Sequence, residues 1–408
     1  MNKLKKPLGV DVLTAARRRI SLIFDRFEQV CISFSGGKDS TVLLHLTAAE
    51  AIKRKRRFQV LFIDWEAQYK LTITHIERCF DLYADWIEPF WVALPMTTWS
   101  GVSMHEPEWT AWAPAKRDLW VRDLPSRAIT DERYFPFYTH AMMFEEFIDH
   151  FNQWLSETRH GRPVSTACLV GIRAAESLNR FRTLIMEKQS FEGHEWTTWM
   201  RGAATNAYPI YDWSVEDIWT FHAQTKLPHN AIYDRMHQAG LTLSQMRICE
   251  PYGNEQRKGL WLYHVLEPET WPKVAARVAG ANSGALYSRE RGNVMGNSFV
   301  DLPKGHTWNS FAEFLLATLP PKTSIHYRNK IAVYVKYCRD HYANCVNGIP
   351  DAVDGDTGSK DIASWRRICR AILRNDYWCR SLSFTPTKTA AYSKYLDVMS
   401  KRRAKWGI

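Results

Sequence analysis

The sequence predicts an α/β protein with a doubly wound, mainly parallel sheet and a basic helical region appended at its C-terminal end. Three observations carry this expectation. Short apolar runs, Val30–Phe34, Phe58–Ile63 and Thr166–Ile172, alternate with longer segments of helical period. The first and third runs end near glycine and pass at once into helical sequence, a strand–turn–helix junction. The chain of 408 residues exceeds the usual single core, and its basic excess is displaced: Thr318–Ile408 holds 17 Lys+Arg against 7 Asp+Glu, out of 54 against 43 overall.

In chain order, Asp11–Phe27 has helical spacing, with Val12, Leu13, Ala16, Ile20, Ile23 and Phe24 on one side and Arg17, Arg18 and Arg19 on a solvated face. The next stretch organises the rest. A buried strand closing on Ser33 runs through Ser35-Gly36-Gly37-Lys38-Asp39-Ser40 into a helix that lasts to about Lys53. Glycines let the backbone approach a ligand, and the first helical turn offers N–H groups to an anion. Lys38 adds positive charge, and Ser35 and Ser40 add hydroxyl donors. A carboxylate beside phosphates repels them unless a cation intervenes, so Asp39 is read as a Mg²⁺ ligand. The spacing is too short for the G-x-x-x-x-G-K-[ST] loop.

Lys53–Arg57 forms a basic connection to the second strand, which ends at Asp64. The carboxyl edge of an open α/β sheet is where ligands sit, so Asp64, Trp65, Glu66 and Gln68 are candidates for nucleotide or metal contact, with a helix cap as the alternative for Asp64. Leu71–Leu82 is helical by period, and Asp85–Leu94 supplies a third strand. The stretch that follows, about 95–140, is rich in Trp and Pro; it is either packing for an irregular loop or a lid or docking surface. After a helix at Phe144–Leu155, the strand Thr166–Ile172 runs through Gly171 into Arg173 and Glu176, followed by Arg180. Planar guanidinium groups suit phosphate or sulfate, so Arg173 and Arg180 join the candidate site, with Glu176 orienting an arginine or sharing the metal.

Ser35–Ser40 resembles the pyrophosphate loop (PP-loop) of the ATP pyrophosphatases. With Gly171-Ile172-Arg173, Glu176-Ser177 and Arg180, and with Tyr208-Pro209-Ile210-Tyr211-Asp212-Trp213 and Val215–Trp219 in order behind it, the chain resembles the phosphoadenosine phosphosulfate reductase-like family. Within that family it resembles the immunoglobulin-binding regulator A subgroup. Arg247–Pro251, Gln256–Tyr263, Ser364–Cys369 and Asn375–Cys379 carry this narrower likeness. The resemblance implies a fold of the adenine nucleotide alpha hydrolase type that binds ATP with Mg²⁺. It assigns catalytic roles to Lys38, Asp39, Arg173 and Arg180, and nucleotide contacts to Ser33, Ser35, Gly36, Gly37, Lys38, Asp39, Ser40, Asp64, Trp65, Gly171, Arg173 and Glu176. The expected reaction cleaves ATP between the α- and β-phosphates to adenylate an acceptor. The reductases of the family use a cysteine in a Glu-Cys-Gly-like motif. Here the sequence closes on Ala404-Lys405-Trp406-Gly407-Ile408, so sulfonucleotide reduction is the less favoured chemistry. The subgroup implies a ParB-like protein partner and a regulatory role.

The expected division is residues 1–245 for the nucleotide domain, 246–317 for a subgroup-specific extension, and 318–408 for the basic region. Several of Arg366, Arg367, Arg370 and Arg374 share one helix face, and Lys401, Arg402, Arg403 and Lys405 continue the charge; such a stripe suits DNA or RNA, or an acidic protein. None of the eight cysteines forms a C-x-x-C, which argues against zinc or an iron–sulfur cluster. Cys249, beside Arg247, is either reactive or structural. No apolar run is long enough to span a bilayer and no secretory leader is evident, so the expected location is the cytoplasm.

Overall fold

The computed structural model describes residues 9–103, 106, 108–185, 189–200, 202–253, 259–260, 262–281, 302–319, 321–356, 362–373, 376–384 and 386–406. Two compact units divide the chain: Met1–Trp99 with Glu108–Arg277, and Ser100–Pro107 with Val278–Ile408. Residues 246–277 thus belong with the sheet-bearing unit, whereas the sequence places a boundary after 245.

The strands of the first unit are β1 (Gln29–Ser33), β2 (Phe58–Ile63), β3 (Ile87–Val92), β4 (Met96–Trp99), β5 (Glu108–Ala111), β6 (Thr166–Val170), β7 (Thr197–Trp199) and β8 (Ala204–Ala207). β4 and β5 form an antiparallel hairpin; the others make one sheet in the order β3-β2-β1-β6-β8-β7, parallel except where β7 meets β8. β1 is buried along four of its five residues, which is why it reads as a continuous apolar run rather than an alternating one. It sits between β2 and β6, with Cys31 opposite both Gln59 and Cys168. The chain leaves β1 toward β2 and β3 and later returns on its other side at β6. The direction of winding therefore reverses at the β1–β6 seam, and such a seam opens a crevice at the strands' carboxyl ends.

The helices of this unit are α1 (Val12–Arg26), α2 (Lys38–Arg54), α3 (Lys70–Leu82), α4 (Phe144–Gln153), α5 (Leu178–Ile185), α6 (Val215–Thr225), α7 (Ile232–Gln238), α8 (Leu262–Leu266) and α9 (Trp271–Arg277). α1, α2, α3 and α6 share one core with the strands, including Ile20, Phe24, Leu43, Phe62, Ile76 and Ile218. α1 starts where Asp11 accepts the Thr14 N–H at 2.9 Å. Arg17 and Arg18 are exposed as expected, but Arg19 is buried, paired with Asp212 at 2.7 Å and donating to Pro209 O at 2.8 Å. The stretch after β3 holds the hairpin and a 3-10 turn at Pro114–Leu119. Its Trp109 and Trp112 are buried, so packing is their observed role.

The second unit is helical: α10 (Trp308–Thr318), α11 (Pro321–His341), α12 (Trp365–Leu373) and α13 (Pro386–Trp406). Pro321 begins α11 at the position where a missing N–H costs nothing. Phe311, Leu316, Tyr327, Ile331, Ile368, Ile372 and Phe384 form its core. Here the arginine stripe is corrected. Arg367 is buried and donates to Ile362 O at 2.6 Å and Ser381 O at 2.5 Å, while Arg366 binds the buried Asp356 carboxylate, at 2.8 Å through Nε. Both are structural. Lys401 and Arg402 are exposed on α13. Arg374, Asn375 and Gln256–Lys258, and the side chains of Arg403 and Lys405, lie outside the described residues. Among the described residues no helix is long and apolar enough to cross a membrane.

Candidate functional site

The β1–α2 junction is held from three sides. Gly36 takes φ +70°, and a β-carbon there would press on Ile76 and Thr72 at 3.0–3.1 Å, so the turn needs glycine for its conformation and for space. Gly37 is the N-cap residue of α2 and, having no side chain, makes no cap hydrogen bond of its own. The loop closes on itself: Ser40 Oγ donates to Gly37 O at 3.1 Å, Ser35 N donates to Ser40 Oγ at 3.3 Å, and the two serine hydroxyls lie 3.1 Å apart. Outside support comes from the segment after α6. Asn230 Nδ2 donates to Gly36 O at 3.0 Å, and Tyr233 Oη accepts the Lys38 N–H at 3.1 Å. From α6, His222 Nε2 donates to Lys38 O at 3.1 Å. Burial lowers the His222 pKa, which suits a neutral ring in that role.

β6 delivers the second half of the site. Gly171 follows it directly, and a β-carbon there would stand 3.1 Å from Ser40 N and 3.2 Å from Ser40 Cα. Only glycine lets the end of β6 come this close to the first turn of α2. The approach brings Arg173, which is buried, onto Asp39: Arg173 Nε donates to Asp39 Oδ1. Lys38 Nζ is 3.2 Å from the other oxygen, Oδ2, and 3.3 Å from Met246 O. Lys38, Asp39 and Arg173 therefore converge. The role of Asp39 differs from the expected one. Both its oxygens are engaged by cationic side chains, so the repulsion that called for Mg²⁺ is met by protein charge. Its donor set does not fit a protein-held divalent cation, and among the described residues no group of three or more His, Cys, Asp or Glu is placed to hold a metal.

The next ring of charge lies further out. Glu176 accepts from Arg247 at 2.5 Å and sits 3.8 Å from Arg180, whose side chain is 49 % exposed. Glu176 thus orients arginines, one of its two predicted roles. Arg180 is at the rim rather than in the Lys38–Asp39–Arg173 cluster.

A cleft of about 670 Å³, counting solvent at its mouth, adjoins the loop. Ser33, Phe34 and Ser35 line it from β1, Leu61, Ile63 and Trp65 from β2, and Tyr69 and Thr72 from the start of α3. Phe144 and Ile148 of α4 close one side; Ile248, Cys249, Glu250 and Tyr263 close another. Tyr69 and Tyr263 stack with centroids 4.1 Å apart. Two acidic residues read from the carboxyl edge do not join this cleft. Asp64 is buried, binding Arg122 and accepting Trp91 Nε1 at 2.8 Å and Glu66 N at 2.9 Å. Glu66 is fully buried and accepts Arg277 at 2.6 and 2.9 Å and Trp112 N at 2.7 Å. Both carboxylates are spent on fastening the Trp-rich stretch, whose cations come from far along the chain.

Against this geometry stand the sequence comparisons. The model of the phosphoadenosine phosphosulfate reductase domain matches residues 29–119 and 125–247, which hold the β1–α2 loop, Gly171, Arg173, Arg180 and Arg247. This chain belongs to the phosphoadenosine phosphosulfate reductase family. A domain of unknown function, DUF3440, matches residues 240–347 and 342–393. The chain is 46 % identical over its whole length to the Escherichia coli uncharacterized protein YbdN, covering 99 % of it. It is 23 % identical to the uncharacterized protein MJ0066 of Methanocaldococcus jannaschii over 54 % of the chain and 37 % of that protein. Among solved structures, Candida auris phosphoadenylyl-sulfate reductase overlaps 54 % of this chain and 85 % of its own, at 11 % identity and TM-score 0.29. Candida glabrata FMN adenylyltransferase overlaps 56 % and 63 %, at 17 % identity and TM-score 0.31.

Within the family domain, the sequence identified the loop, Gly171, Arg173 and Glu176. It missed the wall formed by Ile248–Glu250 and Tyr263. Arg247-Ile248-Cys249-Glu250-Pro251 was singled out for its likeness, and Cys249 for its neighbouring arginine, but no periodicity marks this stretch as facing a ligand. Cys249 does line the cleft and is half-buried; the other seven cysteines are buried thiols.

Proposed function

We propose that the chain binds ATP at the β1–α2 junction and cleaves it between the α- and β-phosphates, transferring AMP to an oxygen nucleophile held in the adjoining cleft. The observation that carries this is the convergence of Lys38 and Arg173 on the N-terminus of α2, beside a loop whose glycines leave the backbone open. N–H groups of that first turn, Ser35 Oγ and Lys38 receive the β- and γ-phosphates. Lys38 and Arg173 then exchange part of their pairing with Asp39 for the phosphate oxygens, and they stabilise the charge that builds on the departing pyrophosphate. The aromatic and aliphatic walls of the cleft, with Trp65 and Tyr69, take the adenine. The nucleophile's oxygen bonds to the α-phosphorus as the bond to the bridging oxygen breaks, and the electron pair leaves with pyrophosphate. Release of labelled pyrophosphate from ATP, screened across RNA, DNA and small-metabolite pools, tests the reading. Formation of AMP and pyrophosphate that Lys38→Ala abolishes supports it. Absence of both products with every pool, from folded protein, contradicts it.

A second reading keeps the nucleotide site and makes it a switch. It rests on the basic excess of residues 318–408 and on the likeness to the immunoglobulin-binding regulator A subgroup, and it supposes a ParB-like, DNA-bound partner in the cytoplasm. With Arg366 and Arg367 consumed internally, Lys401 and Arg402 are among the exposed charges that this reading would use. Nucleotide-dependent retention on DNA with the partner present, without pyrophosphate release, would favour it. Sulfur delivery or sulfonucleotide reduction through Cys249 is the third chemistry; thiol-dependent sulfite release would identify it.

A further inference from the structure

Four carboxylates around the junction are paired with cations: Asp39 with Arg173 and Lys38, Asp64 with Arg122, Glu66 with Arg277, and Glu176 with Arg247. Glu250 differs from all of them. It lines the cleft together with Ser35, yet its partners are neutral. Oε1 accepts Trp109 Nε1 at 2.7 Å and Tyr252 N at 3.1 Å. Among the described residues no donor is placed on Oε2. That oxygen lies against Gly253, where a β-carbon would overlap it. One oxygen is thus anchored by a rigid indole and a backbone amide, and the other is held in a fixed place without a proton donor.

We infer that Glu250 is the general base of the cleft, taking the proton from the hydroxyl or water that attacks the α-phosphorus. The inference rests on the adenylylation reading above and adds the residue that this reading lacks. As the oxygen–phosphorus bond forms, the nucleophile's proton passes to Oε2, and it leaves to solvent when the products depart. The electrical surroundings fit this work. Glu145 on α4 faces the carboxyl and opposes its charge, and Tyr263, Tyr252 and Cys249 beside it are neutral when protonated. Arg277 lies across the Trp109 indole, 5.6 Å from its centroid, with its charge committed to Glu66. Burial, and secondarily Glu145, push the Glu250 pKa up to about 7, so the group takes and releases a proton near neutrality.

Glu250→Gln keeps an oxygen for Trp109 and Tyr252 and removes the base. The expected result is a fall in the rate of AMP and pyrophosphate formation of about 100-fold. Affinity for the non-hydrolysable analogue AMPCPP, measured by calorimetry, should be unchanged within about twofold, and the acidic limb of the pH profile should vanish. Gly253→Ala, which displaces Oε2 without changing its chemistry, should lower the rate and leave AMPCPP binding intact. An unchanged rate and pH profile in Glu250→Gln overturns the inference while leaving the adenylylation reading in place. Failure of the wild-type protein to bind AMPCPP is instead the failure of that reading. If the wild type binds AMPCPP but turns over nothing, infrared titration decides. A carboxyl band that titrates near neutrality, is absent in Glu250→Gln and moves to higher pH with AMPCPP supports the role; its absence refutes it.

Discussion

Arg173 reaches across the β1–β6 seam to bind Asp39 in the first turn of α2, and Gly171 is the residue that lets it do so. Two halves of the site that lie 134 positions apart are thereby locked into one charged cluster.

A double-mutant cycle measures that lock. Arg173→Met and Asp39→Asn, alone and together, should give a coupling energy of about 1–3 kcal/mol by urea unfolding. A coupling near zero would show that the two side chains do not hold one another in solution.

Gly171→Ala should act on the ligand more than on the fold. Its β-carbon would meet backbone atoms of Ser40 at 3.1–3.2 Å, which side-chain movement cannot relieve. Separating β6 from α2 withdraws Arg173, and ATP affinity should fall by about tenfold, or ~1.4 kcal/mol. Calorimetry with ATP checks this, and wild-type affinity would contradict it.

Glu66 and Arg277 form the buried clamp of the Trp-rich stretch, at 0 % and 1 % side-chain exposure. Removing one partner strands the other, so Glu66→Ala should destabilise the protein by about 3–5 kcal/mol. Denaturant unfolding followed by tryptophan fluorescence reads the loss, because Trp112 N donates to the same carboxylate.

The acid side of stability should depend on two buried histidines, His45 of α2 and His75 of α3. His45 Nε2 donates to Pro228 O at 2.8 Å, and Nδ1 accepts from Tyr83 Oη at 2.7 Å; His75 Nε2 lies 2.9 Å from Thr41 Oγ1. Burial lowers their pKa values to about 4 and about 3. The unfolded chain protonates such rings near pH ~6.5, so it binds more protons than the native state below that point. Stability is therefore complete above pH ~6.5 and is lost as pH falls toward 4, by up to ~3 kcal/mol for each ring. His45→Gln should reduce proton uptake on unfolding by about one over that window. Unchanged uptake would mean that His45 titrates normally in the folded protein.

What the sequence made legible follows from how local each signal is. Ser35–Ser40 could be read because strand, glycine turn and helix are contiguous, and Gly171–Arg173 because it repeats that pattern. Asp64 and Glu66 were placed correctly at the sheet's carboxyl edge and given the wrong partners. Arg122 and Arg277 lie 58 and 211 positions away, a separation that no spacing rule bridges. Arg19, Arg366 and Arg367 read as solvated charge for the same reason, since their acceptors Asp212, Asp356 and Ser381 O come from other segments. β7 and β8, at three and four residues, are too short for periodicity to reveal. Glu250 is invisible as a site residue because its distinction, neutral partners and no paired cation among the described residues, is displayed only by the folded chain.

The central claim is that an adenosine polyphosphate binds where β1 hands over to α2. Calorimetric titration of the full-length chain with ATP and AMPCPP tests it most directly. Saturable binding of both, weakened at least ~10-fold by Lys38→Ala with the circular dichroism spectrum unchanged, is the predicted result. A folded wild-type protein that binds neither nucleotide would contradict it.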